Sequence, residues 1–345
     1  MRSGEPELTV VTFPMDSQNG FPMADQADGG PAAFSVIVPT YNRATVLLKC
    51  LEALDRQTVP KDAFEVLVVD DGSEDETTAV VRQFAASHTL NLRYIRQENG
   101  GQNAARNRAI GCCRGRILLF INDDTIATPE MIKGHMISHR AYPEEHIAVL
   151  GRVTISPDLP PSLFATLHLD SAYALWENAV ELPWKAFYTC NVSLKKNFLL
   201  KYGLFDEDLR YNDDLELAER LSHHGFRIIY NKRSLGYHYH YLTEDDYLRL
   251  ARLSGKTLAV WYRKSPHLKR ELSTIGFYKG SSFTKRVEYL LADVAINEVT
   301  RPLVISVARH ISGSHEDVAR LFYRKIYKSI ERQSIRRALR GTFSW

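Results

Sequence analysis

The sequence predicts an α/β fold, a mostly parallel sheet with helices on both faces, extended at its C-terminal end by further helices. Three observations carry that prediction. Short β-branched runs alternate four times with helical patterns between Phe34 and Leu150, the arrangement that parallel strands and crossover helices require. Each run stops at Pro, Asn, Asp or Gly, and in such sheets ligands bind beyond the carboxyl ends of the strands. Hydrophobic residues make up 44% and charged residues 25% of the 345, enough apolar material for a full core, which excludes a wholly disordered or collagen-like chain.

The elements follow in order. Residues 1–32, rich in Gly, Pro, Asp, Gln and Met, are expected to be disordered, and they lack the basic–apolar–small order of a signal peptide. Phe34–Val38 reads as a strand, ended by Pro39 and the turn-prone Tyr41-Asn42. Val46, Leu47, Leu51 and Leu54 then recur at helical spacing over 45–57. Phe64–Val69 is a second buried strand that stops at Asp70-Asp71-Gly72, and Ser73 with Glu76 predicts a capping box for a helix over 74–86. Leu92–Ile95 is a third strand, followed by Asn99-Gly100-Gly101 and a helix to about Cys113. Arg116–Ile121 is a fourth, ending in Asn122-Asp123-Asp124, after which Thr128-Pro129 reads as N-cap and first helical position. Ile147–Leu150 is a fifth strand. A less regular stretch over 152–190 carries Trp176, Trp184 and Tyr188, each able to stack on a sugar ring or to serve as a core aromatic. A helix over 213–224 and strands at Phe226–Tyr230 and Gly236–Tyr241 follow, and from about 243 onward the pattern is helical and basic.

Charge is unevenly spread. From Lys256 to Trp345 there are 18 Lys/Arg against 7 Asp/Glu, a net +11, so the overall +3 leaves −8 on residues 1–255. An acidic front suits metal or phosphate handling, and a basic tail suits an anionic surface. The four cysteines lack CxxC spacing, which supports neither a disulfide scaffold nor a structural zinc site and points to a reducing, cytoplasmic setting. No apolar run approaches the roughly 18–20 residues of a membrane span.

Several residues at the strand ends are chemically suggestive. Adjacent carboxylates at Asp123-Asp124 repel unless a cation intervenes, and Mg²⁺ or Mn²⁺ would neutralise them while leaving room for phosphate oxygens; a plain strand-terminating turn is the bland reading. Asp70-Asp71-Gly72-Ser73 is either a turn or a carboxylate facing a base or ribose. In Asn99–Ile110 the glycines suit a tight loop, and the helix amides with Arg106 or Arg108 could receive a diphosphate. Asp213-Asp214 opens a helix as a cap or as a general base for a hydroxyl. His238 and His240 fall on one face of their strand, a spacing that can chelate a metal. Walker and dinucleotide fingerprints are absent.

Together these stretches resemble family 2 glycosyltransferases of the GT-A, Rossmann-like fold. The resemblance is carried by Val38-Pro39-Thr40-Tyr41-Asn42-Arg43, Val68–Ser73, Asn99-Gly100-Gly101 through Arg106-Asn107, Phe120–Asp124, Cys190–Ser193, Gly203–Glu207 and Asp213–Leu217. It implies an inverting transfer of one sugar from a nucleotide-diphosphate sugar, commonly UDP-linked, to an acceptor hydroxyl on a glycan or lipid-linked acceptor of cell-surface polysaccharide or glycolipid synthesis. It implies roles too: Tyr41 stacking on the base, Asp71 bonding it, Pro39 and Thr40 lining the pocket, Asn103 and Arg106 in the nucleotide-sugar site. Asp123 would contact ribose or sugar, Asp124 with His238 would hold Mg²⁺ or Mn²⁺, and Asp214 would be the catalytic base. The implied domains are a catalytic region over 33–245, with a nucleotide-binding half at 33–125 and an acceptor and catalytic half at 126–245, then a basic helical region over 246–345. Two departures stand out: the family's Asp-x-Asp is Asn122-Asp123-Asp124, and its Glu-Asp pair is Asp213-Asp214. The Gln-x-x-Arg-Trp signature of processive synthases is missing, which favours single-sugar addition.

Two rival readings are a catalytically silent nucleotide-sugar-binding module and a sugar-phosphate nucleotidyltransferase. The second should carry a Gly-rich loop with Arg and Lys after the first strand, and Val38-Pro39-Thr40-Tyr41 is not one. In the tail, Phe322, Ile326 and Ile330 recur every four residues amid Arg324, Lys325, Lys328, Arg332, Arg336 and Arg337. That pattern suits an interfacial helix on anionic lipid at the inner face of the membrane; a helical cap or a dimer contact is the alternative. No recognition motif accompanies the charge, so nucleic acid is not expected as a partner.

Overall fold

All seven residues of Phe34–Thr40 and all seven of Phe64–Asp70 are buried, as strands covered on both faces must be. The computed structural model describes residues 11–12 and 33–341. Its strands are β1 Val11–Thr12, β2 Phe34–Thr40, β3 Phe64–Asp70, β4 Leu92–Arg96, β5 Ile117–Ile121, β6 Thr125–Ala127, β7 Ile147–Ile155, β8 Glu181–Leu182, β9 Asn191–Lys195 and β10 Arg227–His238. They form one sheet in the order β1-β4-β3-β2-β5-β9-β7-β10-β6, with β8 on β10. β4, β3, β2 and β5 are parallel neighbours; β9 runs antiparallel between β5 and β7, and β10 is parallel to β7. The fold is thus mixed α/β with a mostly parallel core, as expected.

Alternation sorts the core. Val36, Val38, Val66, Val68 and Leu119 share one buried cluster with Leu47, Leu51, Val81 and Phe84, from helices α1 Ala44–Asp55 and α2 Thr77–Ser87. The intervening Ile37, Leu67 and Leu118, equally buried, point to the opposite face. The remaining helices of this unit are α3 Gln102–Cys112, α4 Met131–Ala141, α5 Lys196–Tyr202 and α6 Asp213–Ser222.

Four local expectations change. The segment expected to be disordered lies outside the described residues except Val11–Thr12, which pair antiparallel with β4. No Ser73–Glu76 capping box forms; α2 starts at Thr77, whose amide donates to Asp75 Oδ1 at 3.0 Å, while Ser73 Oγ accepts from Asn42 N at 2.8 Å. Thr128 does not cap α4, because its hydroxyl donates to the Leu235 carbonyl at 2.7 Å and the helix begins at Met131. The two late strands are one, β10, with its register to β7 shifted between Asn231 and Leu235.

Contacts divide the chain into two compact units. The first holds the residues up to Leu159, Tyr173–Glu207 and Asp213–His240; the second holds Pro160–Ala172, Asp208–Asn212 and the residues from Tyr241 onward. The second unit is built on α7 Glu244–Lys264, α8 Phe283–Ala295, α9 Arg301–Ser312 and α10 Glu316–Leu339. A true capping box between Thr243 and Asp246 opens α7. Ile326 and Ile330 of α10 are buried, and Arg332 is buried in an ion pair with Asp293 at 2.6 Å. The stripe expected to face lipid therefore lies inside this unit. No helix among the described residues is long and apolar enough to cross a membrane.

Candidate active site

The ends of β2, β3 and β5 meet at one edge of the sheet. Asn42 adopts φ 52° and Gly72 φ 86°, left-handed backbone that Asn tolerates and Gly favours, so both chains turn back at the strand ends. Asn42 ties the two loops together: its amide donates to Ser73 Oγ at 2.8 Å, and its side-chain oxygen accepts from Glu74 N at 2.7 Å. Tyr41 is left 46% exposed at the rim, while Pro39 and Thr40 are buried beneath it. A Cβ at position 72 would lie 3.1 Å from Asn99 N and 3.2 Å from Gln97 O, so this loop packs directly on the one after β4.

Asp71 fills that junction. It accepts from Gln97 Nε2 at 2.8 Å, Gly100 N at 2.9 Å and Gly101 N at 2.7 Å. A carboxylate has about four acceptor positions, so one is left for a ligand.

Asp123 and Asp124 lie in the turn after β5, both 4% exposed. Thr40 Oγ1 donates to Asp123 Oδ2 at 2.8 Å. Arg43 bridges the pair, Nη1 to Asp123 Oδ1 at 3.0 Å and Nη2 to Asp124 Oδ2 at 2.9 Å. The Tyr239 amide donates to the Asp124 carbonyl at 2.7 Å, which brings in the end of β10. His238 Nε2 then sits 3.6 Å from Asp124 Oδ1, a buried oxygen with no hydrogen-bond partner. His240 lies past the end of β10, its ring centroid 5.8 Å from that of His238. Burial would raise both carboxyls; His238 and Arg43 outweigh it at Asp124, which is held below the usual range. At Asp123 burial prevails over Arg43, and the like charge of Asp124 adds to the rise.

That donor set fits a divalent cation. An unsatisfied carboxylate oxygen faces an imidazole nitrogen, and among the described residues no group of three or more His, Cys, Asp or Glu could hold a metal ion. Two protein donors with the remaining positions left to phosphate and water is the habit of Mg²⁺ and Mn²⁺ at phosphates.

A third group of residues forms where α3 meets the start of α6. Arg106 is buried; Nη1 donates to Asp213 Oδ2 at 2.6 Å and to Asn103 Oδ1 at 3.1 Å, and Nη2 to Thr189 Oγ1 at 2.8 Å. Asn103 in turn donates to the Asp206 carbonyl at 2.9 Å. The contacts of Arg106 thus join the helix after the Gly100-Gly101 loop to the Asp213-Asp214 pair. Asp214 accepts from its neighbour's amide, Leu215 N, at 2.8 Å. Burial pushes its carboxyl up to about 7, the like charge of Asp213 adds to this, and Arg106 opposes it. Tyr188 feels the Asp214 charge and packs on Trp176 at 5.6 Å between centroids; Trp176 in turn meets Tyr173 at 5.5 Å. A cavity of about 1060 Å³ opens elsewhere, around Lys133, Tyr230 and Lys232, and contains none of these groups.

Arg43 was visible only as the last letter of Thr40-Tyr41-Asn42-Arg43, and Thr189 not at all. A lone cation three residues past a strand end that faces two carboxylates was the available signal for the first. A hydroxyl on an irregular segment gives none.

Comparison with known proteins agrees with this geometry. Residues 35–182 match Glycosyl transferase family 2. The chain is 30% identical over 236 residues to the validoxylamine A glucosyltransferase of Streptomyces hygroscopicus subsp. jinggangensis, an alignment covering 59% of this chain and 54% of that one. The chain thus spans about half the length of the curated relatives it matches. In fold it resembles the mannosyltransferase PcManGT of Pyrobaculum calidifontis, solved with GDP-Man and Mn²⁺, with TM-score 0.63, 19% identity and 92% of each chain covered. It also resembles residues 1–349 of S. aureus TarS solved with UDP-GlcNAc, with TM-score 0.52, 20% identity, and 90% of this chain and 93% of that one covered. Residues 35–182 thus resemble Glycosyl transferase family 2, and the chain has the GT-A fold.

Proposed function

We propose that the protein is an inverting, metal-dependent glycosyltransferase that moves a single sugar from a nucleotide-diphosphate sugar to an acceptor hydroxyl. The observation that carries this reading is that two acidic sites sit in opposite electrostatic surroundings. Asp124 is kept ionised beside His238, whereas Asp214 is raised to about 7. Environments that push carboxylates apart in this way mark distinct roles.

Tyr41 offers an exposed ring to the base, above the buried Pro39 and Thr40. Asp71 has one acceptor position for a base N–H, and Asp123, fixed by Thr40 and Arg43, is placed for ribose or sugar hydroxyls. Asp124 and His238 would hold the cation, which when bound stabilises negative charge on the leaving diphosphate. Asp214 takes the acceptor proton as the acceptor oxygen bonds to the anomeric carbon, the carbon–oxygen bond to the diphosphate breaks, and the electron pair leaves on that diphosphate. A single displacement from the opposite face inverts the centre. Arg106 holds Asp213 beside the base and opposes the rise of the Asp214 carboxyl. Trp176 and Tyr188 offer a stacking surface for a sugar acceptor, a glycan or a lipid-linked one. UDP is the preferred carrier in this reading, supported by the UDP-GlcNAc bound by TarS, with the GDP-Man of PcManGT as the alternative. Four free cysteines are in keeping with a cytoplasmic site of action.

The test is thermal stability with UDP, GDP, dTDP and CDP, each with Mn²⁺ and with EDTA. A ligand of the folded state raises the melting temperature according to its concentration over Kd. Metal-dependent stabilisation by one nucleotide, lost in Asp124→Ala, is the expected result. No shift with any nucleotide would overturn the reading.

A further inference from the structure

Helix α8 is built inside out. Its inward side is held by charge at Asp293, buried against Arg332 at 2.6 Å and Arg336 at 2.8 Å; the exposed Glu288 pairs with Lys325 at 3.1 Å. Its outward side is apolar. Phe283, Val287, Leu290, Leu291 and Val294 recur at i, i+4, i+7, i+8 and i+11, one face of a helix, and are 80, 40, 57, 65 and 65% exposed. On the next helix Leu303 and Val307 are 68 and 42% exposed. Of the seventeen exposed large hydrophobic residues among the described ones, ten lie between Phe283 and Leu321. Scattered apolar side chains are normal on a surface, but a contiguous concentration of this kind marks an interaction site.

Charge decides what covers it. Arg286 of α8, at the edge of this face, is exposed and has no ion-pair partner among the described residues, and residues 256–345 carry a net +11. A second copy laid on this face would bring two such regions together. An anionic lipid surface satisfies both features, because its acyl boundary takes the Phe, Leu and Val side chains and its headgroups take the Lys and Arg. We infer that the outward face of α8 is a docking surface for anionic membrane. This inference concerns the C-terminal helices alone and stands apart from the transfer reaction.

The full chain is tested by co-sedimentation with vesicles of phosphatidylcholine alone and of phosphatidylcholine with about a third phosphatidylglycerol, at low and raised salt. Binding to the anionic vesicles only, weakened by salt, is expected. Leu290→Glu with Leu291→Glu should reduce the bound fraction about tenfold or more, and Arg286→Glu should reduce it as well. Leu290→Asn with Leu291→Asn is the milder pair should the glutamates disturb folding, and melting temperature and nucleotide binding should stay unchanged in every variant. Failure of the wild type to bind anionic vesicles overturns the inference, as does binding that survives Leu290→Asn with Leu291→Asn. So does sedimentation velocity showing a dimer that these variants dissociate, since the face would then belong to a second copy. Loss of nucleotide binding in the wild type would instead strike the catalytic reading and leave this one intact.

Discussion

In the proposed reaction the Asp214 carboxyl is the base, and its surroundings dictate how activity depends on pH. A base must be unprotonated to act, so kcat/KM should rise as pH passes through about 7, where burial and Asp213 place this group. In Asp213→Asn the like charge is gone, and the acidic limb of the profile should move to lower pH. Asp214→Asn cannot accept the proton and should lose about 10²–10⁴-fold in kcat, the usual worth of general-base catalysis. Steady-state transfer rates over pH 5 to 9 for the three proteins check this; a profile unmoved by Asp213→Asn would remove Asp214 from the role. Arg43 makes a different prediction. Its guanidinium already sits on both carboxylates, so it competes with a cation for Asp124. Arg43→Ala should bind Mn²⁺ about tenfold more tightly in the absence of nucleotide, the equivalent of about 1.4 kcal/mol. It should also melt lower than wild type in EDTA and recover with Mn²⁺, while Arg43→Ala with Asp124→Ala does not recover. Titration calorimetry and melting curves measure both.

Elements differ in how plainly the sequence shows them, and the reason is chemical. The parallel strands β2 to β5 were legible because each is an unbroken apolar run between turn residues, and the strand-end groups were legible because polar residues cluster where ligands bind in such sheets. β9 was not. Asn191, Ser193 and Lys195 alternate with Val192 and Leu194, and all five are buried at the middle of the sheet. They are satisfied from α4: His135 bonds Ser193 and Asn191 at 2.8 Å each, and His139 bonds Ser193 at 2.8 Å. A polar face matched by histidines 50 residues away cannot be read from local hydrophobicity. The tail stripe failed in the opposite sense, since Ile326 and Ile330 had a real apolar face whose partner was another helix. Gly255 in α7 records that packing. A Cβ there would collide with the Glu331 carbonyl oxygen of α10, so mid-helix glycine is retained despite its cost in helix propensity. Gly255→Ala should therefore destabilise the protein by about 1–3 kcal/mol, the usual penalty of overpacking, where propensity alone predicts a gain. Urea denaturation decides the sign.

Over the whole molecule, pH acts on stability through groups that pull in opposite directions. His135 and His139 are buried, and burial lowers His135 from 6.5 to about 4 and His139 further still. The unfolded chain takes up these protons and the fold refuses them, so this contribution is complete above pH 6.5 and is lost as pH falls towards 4 and below. Asp214 behaves in reverse. Its folded value of about 7 lies above the ordinary 3.8, so the fold holds that proton more tightly. Its contribution is complete below about pH 4 and is lost as pH rises through 7. Between these limits the two dependences offset each other, and removing one exposes the other. Asp214→Asn should therefore be more stable than wild type by about 1–3 kcal/mol at pH 8, and the gain should shrink steadily towards pH 5. The variant should also lose stability more steeply than wild type between pH 6.5 and 5, because Asp123 is then the raised aspartate left to oppose the histidines. Denaturation midpoints for both proteins at pH 8, 6.5 and 5 measure this. A gain that is the same at all three would mean that Asp214 is not raised by its surroundings, and that the energetic tension of the base lies in some other group.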